Sequence, residues 1–138
     1  MENILLPVML DSRKLDQPYI DRVIDLLDIR DRLGHLPGAM SGGQQQRISI
    51  ARALANKPAV LFADEPTGNL DGKNGREVLN LLRRVSHELG VTLVLVTHDI
   101  NVAEQAERIV YIEDGQIGRD TGFVKPGAEG PAARSDLK

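Results

Sequence analysis

The sequence predicts an α/β fold with a parallel sheet, and the order of three segments carries the prediction. Two short apolar runs, "AVLFADEP" at 59–66 and "VTLVLVTHD" at 91–99, have the composition of strands that are buried on both faces. Between them, "REVLNLLRRVSHELG" at 76–90 has apolar residues at helical spacing and a final glycine suited to a C-cap. Strand–helix–strand alternation is typical of a parallel sheet with a crossover helix.

Further elements are predicted on either side of these strands. A helix is expected over "PYIDRVIDLLDIRDRL", from Pro18 to an end near Gly34, and a second from Ser41 to about Asn56. A short helix should cover 100–106, and "RIVYIEDGQIG" predicts a hairpin with Asp114-Gly115 at its turn. Residues 1–18 show no single pattern. Residues 121–138 have a composition typical of disorder.

The composition narrows the function classes. The net charge is −3, so nothing indicates a nucleic-acid surface. The chain has no cysteine, which excludes disulfides and thiolate metal sites. No apolar run approaches the roughly 20 residues that span a bilayer. We therefore expect any membrane role to depend on a partner.

The stretch "MSGGQQQRISIARAL" at 40–54 places two glycines at the start of a predicted helix. A capping box explains Ser41 and Gln44, because each side chain can satisfy a free backbone N–H of the other. It does not explain Gly42 and Gly43, which are poor helix formers. Backbone without Cβ atoms lets a ligand approach closely, and helix N-termini bind phosphate. The stretch therefore predicts a cap and a phosphate site that compete for the same N–H groups and apply in different states.

Polar residues follow both predicted strands. Asp64 and Glu65 end the first run, and His98 ends the second. Ligands of open α/β sheets bind at the carboxyl ends of the strands, and Mg²⁺ takes one or two carboxylates together with substrate phosphates. On this hypothesis Asp64 holds Mg²⁺, Glu65 activates water, and His98 contacts the transferred phosphoryl group. The alternative is a solvated loop start and a structural histidine.

Together these motifs resemble the nucleotide-binding domains of ABC transporters. "MSGGQ" at 40–44 resembles the family's LSGGQ signature, and "VLFADE" at 60–65 its Walker B strand. "GNLD" at 68–71 resembles the D-loop, and His98 stands where the family has its switch histidine. "HLPGAMSGGQQQR" and "ADEPTGNLD" are most similar to the subfamily of lipoprotein release, macrolide export and cell division.

The resemblance implies roles for these residues and a partner. In this family ATP lies between two domains arranged head to tail, bound by the Walker A loop of one and the signature helix of the other. Ser41, Gly42, Gly43 and Gln44 are then expected to contact the γ-phosphate of an ATP held mainly by the partner. Asp64 is implied to serve Mg²⁺, Glu65 to be the catalytic base, His98 to sense the γ-phosphate, and Asp71 to couple the two sites. Transmembrane permease subunits are the implied further partners, which places the chain in the cytoplasm, on the inner face of the membrane.

The family's Walker A motif, G-x-x-x-x-G-K-S/T, does not occur in the 138 residues, nor does a glutamine of the Q-loop type. The resemblance therefore implies a partial P-loop NTPase-type sheet with a helical subdomain. The expected division is helical subdomain 1–40, ATPase-core part 41–120 and tail 121–138. Because central strands of that fold are not represented, we expect exposed apolar surface beside 59–63 and 93–96. The isolated chain is predicted to be inactive.

Three other interpretations remain open. A non-transport ABC ATPase of chromosome or DNA-repair type would carry long heptad arms and a signature that ends in Glu; Gln44 and the absence of heptads favour transport. A non-catalytic module could donate its signature helix in trans to an intact partner. A degenerate product is weakly opposed by the intact motifs.

Overall fold

The structure, a computed structural model, describes residues 1–11, 14–68 and 70–122, and the chain divides into two compact units, Met1–Val96 and Thr97–Lys138. The first unit contains helix α1 (Glu2–Leu10), helix α2 (Gln17–Leu27), short 3₁₀ turns (Arg30–Arg32 and Pro37–Ala39), helix α3 (Gly42–Leu54), strand β1 (Val60–Asp64), helix α4 (Gly72–Leu89) and strand β2 (Thr92–Val96). The second unit contains helix α5 (Ile100–Ala103) and strands β3 (Val110–Glu113) and β4 (Gln116–Asp120).

The sheet of the first unit confirms the predicted α/β arrangement. β1 and β2 pair in parallel, with Val60 opposite Thr92 and Asp64 opposite Val96. Helix α4 makes the crossover between them, and it ends at Gly90, whose φ of 66° gives the predicted left-handed C-cap. The carboxyl ends of both strands therefore lie at the same edge of the sheet.

An aliphatic core lies among the four long helices and one face of the sheet. Helix α3 packs against α1, α2 and α4. Among the described residues, no polar or charged side chain is buried. The helices supply most of the core: Ile4, Val8, Ile20, Val23, Ile24, Leu27, Ile50, Leu54, Val78, Leu82 and Val85. This packing fixes α3, whose N-terminus is the predicted phosphate site.

The other face of β1 is open, so the prediction that this strand is buried on both faces was wrong. Leu61 is 7% exposed, whereas Phe62 is 72% exposed and Val60 is 40% exposed. Successive side chains of a strand point to opposite faces, and only the Leu61 face meets the helices. The exposed apolar surface expected beside 59–63 is thus present, and Val96 at the end of β2 is also exposed.

Helix α2 ends seven residues earlier than Gly34. Its last residue is Leu27, and Asp28 adopts a left-handed backbone with φ 53° and ψ 54°. The Asp28 N–H bonds to the carbonyls of Asp25 and Ile24, which closes the helix. Asp is one of the few residues that tolerate this conformation, so it replaces the expected glycine. The start was predicted well, since Pro18 lies in the first turn.

Other predicted boundaries differ by smaller amounts. Residues 2–10, for which no pattern was visible, form α1 with Pro7 inside it. Helix α3 ends at Leu54 rather than near Asn56, and α5 stops at Ala103. Helix ends fray readily, and a short helix has few bonds to hold its last turn.

The second unit contains the predicted hairpin. β3 and β4 pair antiparallel, and Asp114 and Gly115 both have positive φ, as a two-residue type I′ turn requires. Thr121, placed in the expected disordered tail, instead bonds through its N–H to the Ile109 carbonyl at 3.0 Å. The rest of that tail, 123–138, lies outside the described residues. Within the described part of the chain, no helix is both long and apolar enough to cross a membrane.

Candidate functional site

The start of α3 has the capping box that the sequence predicts. The Ser41 hydroxyl accepts a bond from the Gln44 N–H at 3.3 Å, and the Gln44 side-chain oxygen accepts one from the Ser41 N–H at 3.0 Å. Ser41 has the extended backbone of an N-cap, with φ −66° and ψ 160°. The reciprocal bonds fix the direction in which the helix begins.

Between the two capping residues, Gly42 and Gly43 present bare backbone. Their N–H groups take no part in the cap and, as first-turn donors, have no carbonyl partner within the helix. Gly42 is exposed and Gly43 half-buried, and a Cβ built on Gly43 would meet nothing within 4 Å. The helix dipole adds partial positive charge at this end. The arrangement can accept an anion, and the packing inside the chain does not require glycine at position 43.

At the end of β1, the chain turns sharply at Glu65. Its φ is 43°, in the left-handed region that non-glycine residues rarely adopt. The Glu65 N–H donates to the Val96 carbonyl at 2.8 Å, and its carbonyl accepts from the Gly68 N–H at 3.1 Å. These bonds hold a half-buried Glu65 beside an exposed Asp64. Backbone strain of this kind costs about 1–3 kcal/mol and clusters at active sites.

Asp71 caps helix α4. Its carboxylate accepts bonds from the N–H groups of Asn74 at 2.9 Å and Lys73 at 3.0 Å, and from the Asn74 side chain at 2.7 Å. The bonds from Asn74 lower the pKa of Asp71, and the Lys73 N–H adds to the effect. The residue therefore has a structural role at the helix start, which was not part of its predicted role.

Leu70, the residue before Asp71, lies near the start of α3. A Cβ built on Gly42 would lie 3.9 Å from Cδ2 of the half-buried Leu70. Sequence reasoning missed Leu70, because a single leucine in a polar loop gives no signal of what it covers. The structure thus places Gly42 of α3 near Leu70, in the loop that ends in Asp71.

His98 lies in the second unit, where it is exposed. The following residue, Asp99, caps α5 by accepting the Asn101 N–H at 2.9 Å. Bonds from the Asn101 side chain and backbone lower the pKa of Asp99. The sequence pattern assigned no role to Asp99, and the structure shows that it caps α5.

Comparison with known proteins finds relatives of this chain in one protein family. The family model described as ABC transporter matches residues 7–68. The chain is 43% identical over 123 residues to the lipoprotein-releasing system ATP-binding protein LolD 1 of Chlorobium chlorochromatii, covering 87% of this chain and 50% of the relative. It is 44% identical over 137 residues to the macrolide export ATP-binding/permease protein MacB of Rhodospirillum rubrum, covering 96% of this chain and 21% of that protein.

The chain belongs to the ABC transporter ATP-binding proteins. A solved relative agrees: the dimeric structure of the bacterial ABC transporter cassette MJ0796 matches with a TM-score of 0.67 and 42% identity, over 86% of this chain and 54% of that one. MJ0796 is a protein of Methanocaldococcus jannaschii. Another dimeric structure, of its post-hydrolysis state with ADP and Pi, matches with a TM-score of 0.58 and 47% identity, over 72% of this chain and 43% of that one.

These matches confirm the predicted family and its α/β ATPase fold. They also agree with the narrower resemblance, since LolD and MacB are lipoprotein-release and macrolide-export proteins by name. This ABC chain spans about half the length of LolD 1 and of MJ0796, and about a fifth of MacB.

Proposed function

We propose that this chain is the signature-bearing part of an ABC ATP-binding protein that couples ATP hydrolysis to transport across a membrane. The relatives support export or lipoprotein release, since MacB is named for macrolide export and LolD for lipoprotein release. They also favour transport over the chromosome or DNA-repair class of ABC ATPase. The proposed ATP hydrolysis is that of a whole protein that also carries the Walker A motif.

The observation that carries the proposal is the N-terminus of α3. Gly42 and Gly43 offer unpaired N–H donors at the positive end of a 13-residue helix, with open space where the Gly43 Cβ would be. A triphosphate terminus fits such a site, because its oxygens need donors and close backbone approach. Ser41 and Gln44, freed from their mutual bonds, supply a hydroxyl and an amide to the same ligand.

The remaining candidate residues have proposed roles in a whole cassette. Asp64 has an exposed carboxylate at the sheet edge and suits a Mg²⁺ ion that is also bound by phosphates. Bound Mg²⁺ would neutralise charge on the phosphate oxygens. Glu65, held by its strained backbone, is the proposed base for the attacking water. His98 is the proposed γ-phosphate contact, and Asp71 links the two nucleotide sites of a dimer.

The proposed partners follow from the names and structures of the relatives. The relative MJ0796 forms dimers, which supports a second cassette that faces α3 and holds the ATP. MacB combines ATP-binding and permease functions in its name, which supports a membrane-embedded permease as the further partner. The chain would then act at the cytoplasmic face of the membrane, held there by that permease.

The test is the effect of this chain on an intact homologous cassette, such as MJ0796. The intact cassette is diluted until its own dimerisation limits hydrolysis, and the chain is added in excess. If the chain supplies a signature helix, phosphate release per intact cassette rises and saturates, and the Gly43→Ala variant fails to raise it. No change with the wild-type chain at high excess would contradict the proposal.

A second candidate is a non-catalytic module that acts only in trans. It is favoured by the capping box that completes the start of α3. Glu65→Gln tests this candidate in the same stimulation experiment. A pure donor of α3 keeps its full effect on the intact cassette after this change, and a loss of stimulation would contradict it.

A further inference from the structure

Arg47 joins α3 to the C-terminal end of α2. Its Nη1 donates to the carbonyl of Leu27 at 2.9 Å across 20 residues of sequence. The same nitrogen lies 4.0 Å from Oδ2 of Asp28, and the Arg47 side chain is 28% exposed. No sequence motif had assigned this residue a role.

The carbonyl groups at the C-terminal end of α2 require hydrogen-bond donors from outside the helix. The last carbonyls of a helix lack intrahelical partners and carry the negative end of the dipole. Asp28 turns the chain into the left-handed region, so the helix cannot continue past Leu27. A guanidinium satisfies the Leu27 carbonyl through a charge-assisted bond. Asp28 is 94% exposed, so its ion pair with Arg47 adds little.

The position of Arg47 on α3 determines which part of the helix its bond to Leu27 holds in place. Arg47 is four residues after Gly43, one helical turn along the same helix. The guanidinium therefore anchors the first turns of α3, where the proposed phosphate donors lie, while Ile50 and Leu54 anchor the later turns in the core.

We propose that Arg47 is a positioning residue that ties the phosphate-facing end of α3 to α2. This inference rests on the proposed function of that end. A displacement of α2 would then displace the Gly42 and Gly43 donors with it, so the two helices transmit motion to the nucleotide site.

Arg84 offers a matched control. It lines the same surface groove as Arg47, together with Asp25, Asp28 and Glu77. Its guanidinium pairs with Glu88 on its own helix at 2.8 Å. Arg84→Met thus removes a positive charge from the same groove, and the ion pair that it breaks lies within α4.

Hydrogen exchange followed by mass spectrometry on the full chain tests the link. For Arg47→Met we expect exchange to rise about tenfold in segment 44–49, with segment 78–85 of the core unchanged. Arg47→Lys, which keeps a cationic donor, should show a smaller rise, and Arg84→Met none. An equal rise of exchange in both segments would mean that Arg47 only stabilises the fold as a whole. No rise of exchange in either segment would mean that the bond from Arg47 to Leu27 does not hold α3. Either result overturns the proposal.

Stimulation of an intact cassette gives the functional readout. Arg47→Met should lower the saturating stimulation about tenfold at unchanged half-saturation, with Arg84→Met equal to wild type. Unchanged stimulation with Arg47→Met would overturn the positioning role. If the wild-type chain gives no stimulation, the proposed function fails, while the exchange experiment still decides whether Arg47 holds α3 to α2.

Discussion

Ser41 and Gln44 each satisfy a backbone N–H of the other, at 3.3 Å and 3.0 Å. This cap uses the Ser41 hydroxyl and the Gln44 N–H, which the proposed phosphate ligand would also use. Cap and ligand therefore compete for these groups, and the Gly42 and Gly43 donors remain available in both states. The cap keeps the helix start ordered in the absence of the proposed ligand.

Ser41→Ala tests whether the cap stabilises α3. Loss of an N-cap side chain lowers the free energy of unfolding by about 1 kcal/mol. Thermal unfolding should therefore shift down by about 2–8 °C in a chain of this size. Ser49→Ala is the control, because the bond that Ser49 makes among the described residues goes to the Gln45 carbonyl within the same helix. Equal melting temperatures for Ser41→Ala and wild type would show that the cap does not hold α3.

Gly43→Ala separates stability from function. A Cβ at this position meets nothing within 4 Å, and alanine is the better helix former by about 0.8–1 kcal/mol in a helix interior. The variant should melt at or above the wild-type temperature yet lose its stimulation of an intact cassette. Gly72→Ala, at the start of α4, should keep the stimulation. A Gly43→Ala chain with full stimulation would contradict close approach of phosphate at this residue.

The open face of β1 predicts association. Phe62 is 72% exposed and Val60 is 40% exposed, and contiguous apolar surface on a protein promotes contact with other molecules. Sedimentation velocity should show concentration-dependent oligomers for wild type and a shift toward monomer for Phe62→Glu. The melting temperature should change little, because Phe62 contributes little to the core. A monodisperse wild-type monomer that melts cooperatively would contradict this prediction.

The hairpin of the second unit should respond to acid. The bond from Arg108 lowers the pKa of Asp120 to about 2, and the Gly122 N–H adds to the effect. Because the folded pKa lies below the ordinary value of 3.8, ionised Asp120 stabilises the hairpin above that pH, and this stabilisation disappears as the pH falls toward 2. An NMR titration of the Asp120 carboxyl measures the folded pKa directly.

Arg108→Met should raise the Asp120 pKa toward 3.8 and remove most of this acid sensitivity. Arg119→Met is the control, since Arg119 stacks on Tyr111 and makes no bond with Asp120 among the described contacts. A pKa for Asp120 that is unchanged in Arg108→Met would show that the ion pair does not form in solution.

Periodicity and local chemistry predicted much of the fold. The apolar residues expected to form one stripe on α4 are Val78, Leu81, Leu82, Val85 and Leu89; the first four are buried and Leu89 is half-buried. Gly90 and Asp114-Gly115 adopt the positive φ that their positions require. The end of α2 was missed because Asp28 takes a conformation in which glycine is the usual signal. The open side of β1 was misjudged because an apolar run does not tell which of its faces is covered.

In the candidate site, too, local features were predictable from the sequence and contacts between distant residues were not. The capping box was predictable, because it depends only on residues three apart. The closeness of Leu70 to Gly42 and the bond of Arg47 to Leu27 bring distant parts of the chain together, and no local pattern encodes them. The strained backbone of Glu65 depends on its bond to Val96, which appears only once β1 and β2 are paired.

The central claim is that this chain serves a nucleotide held mainly by another cassette. Calorimetry of Mg²⁺-ATP binding to the purified chain tests it most directly, with Glu65→Gln measured in parallel to exclude heat from turnover. We predict no binding heat up to millimolar ATP for either protein. Micromolar binding by both would contradict the claim, because residues within this chain would then hold the nucleotide by themselves.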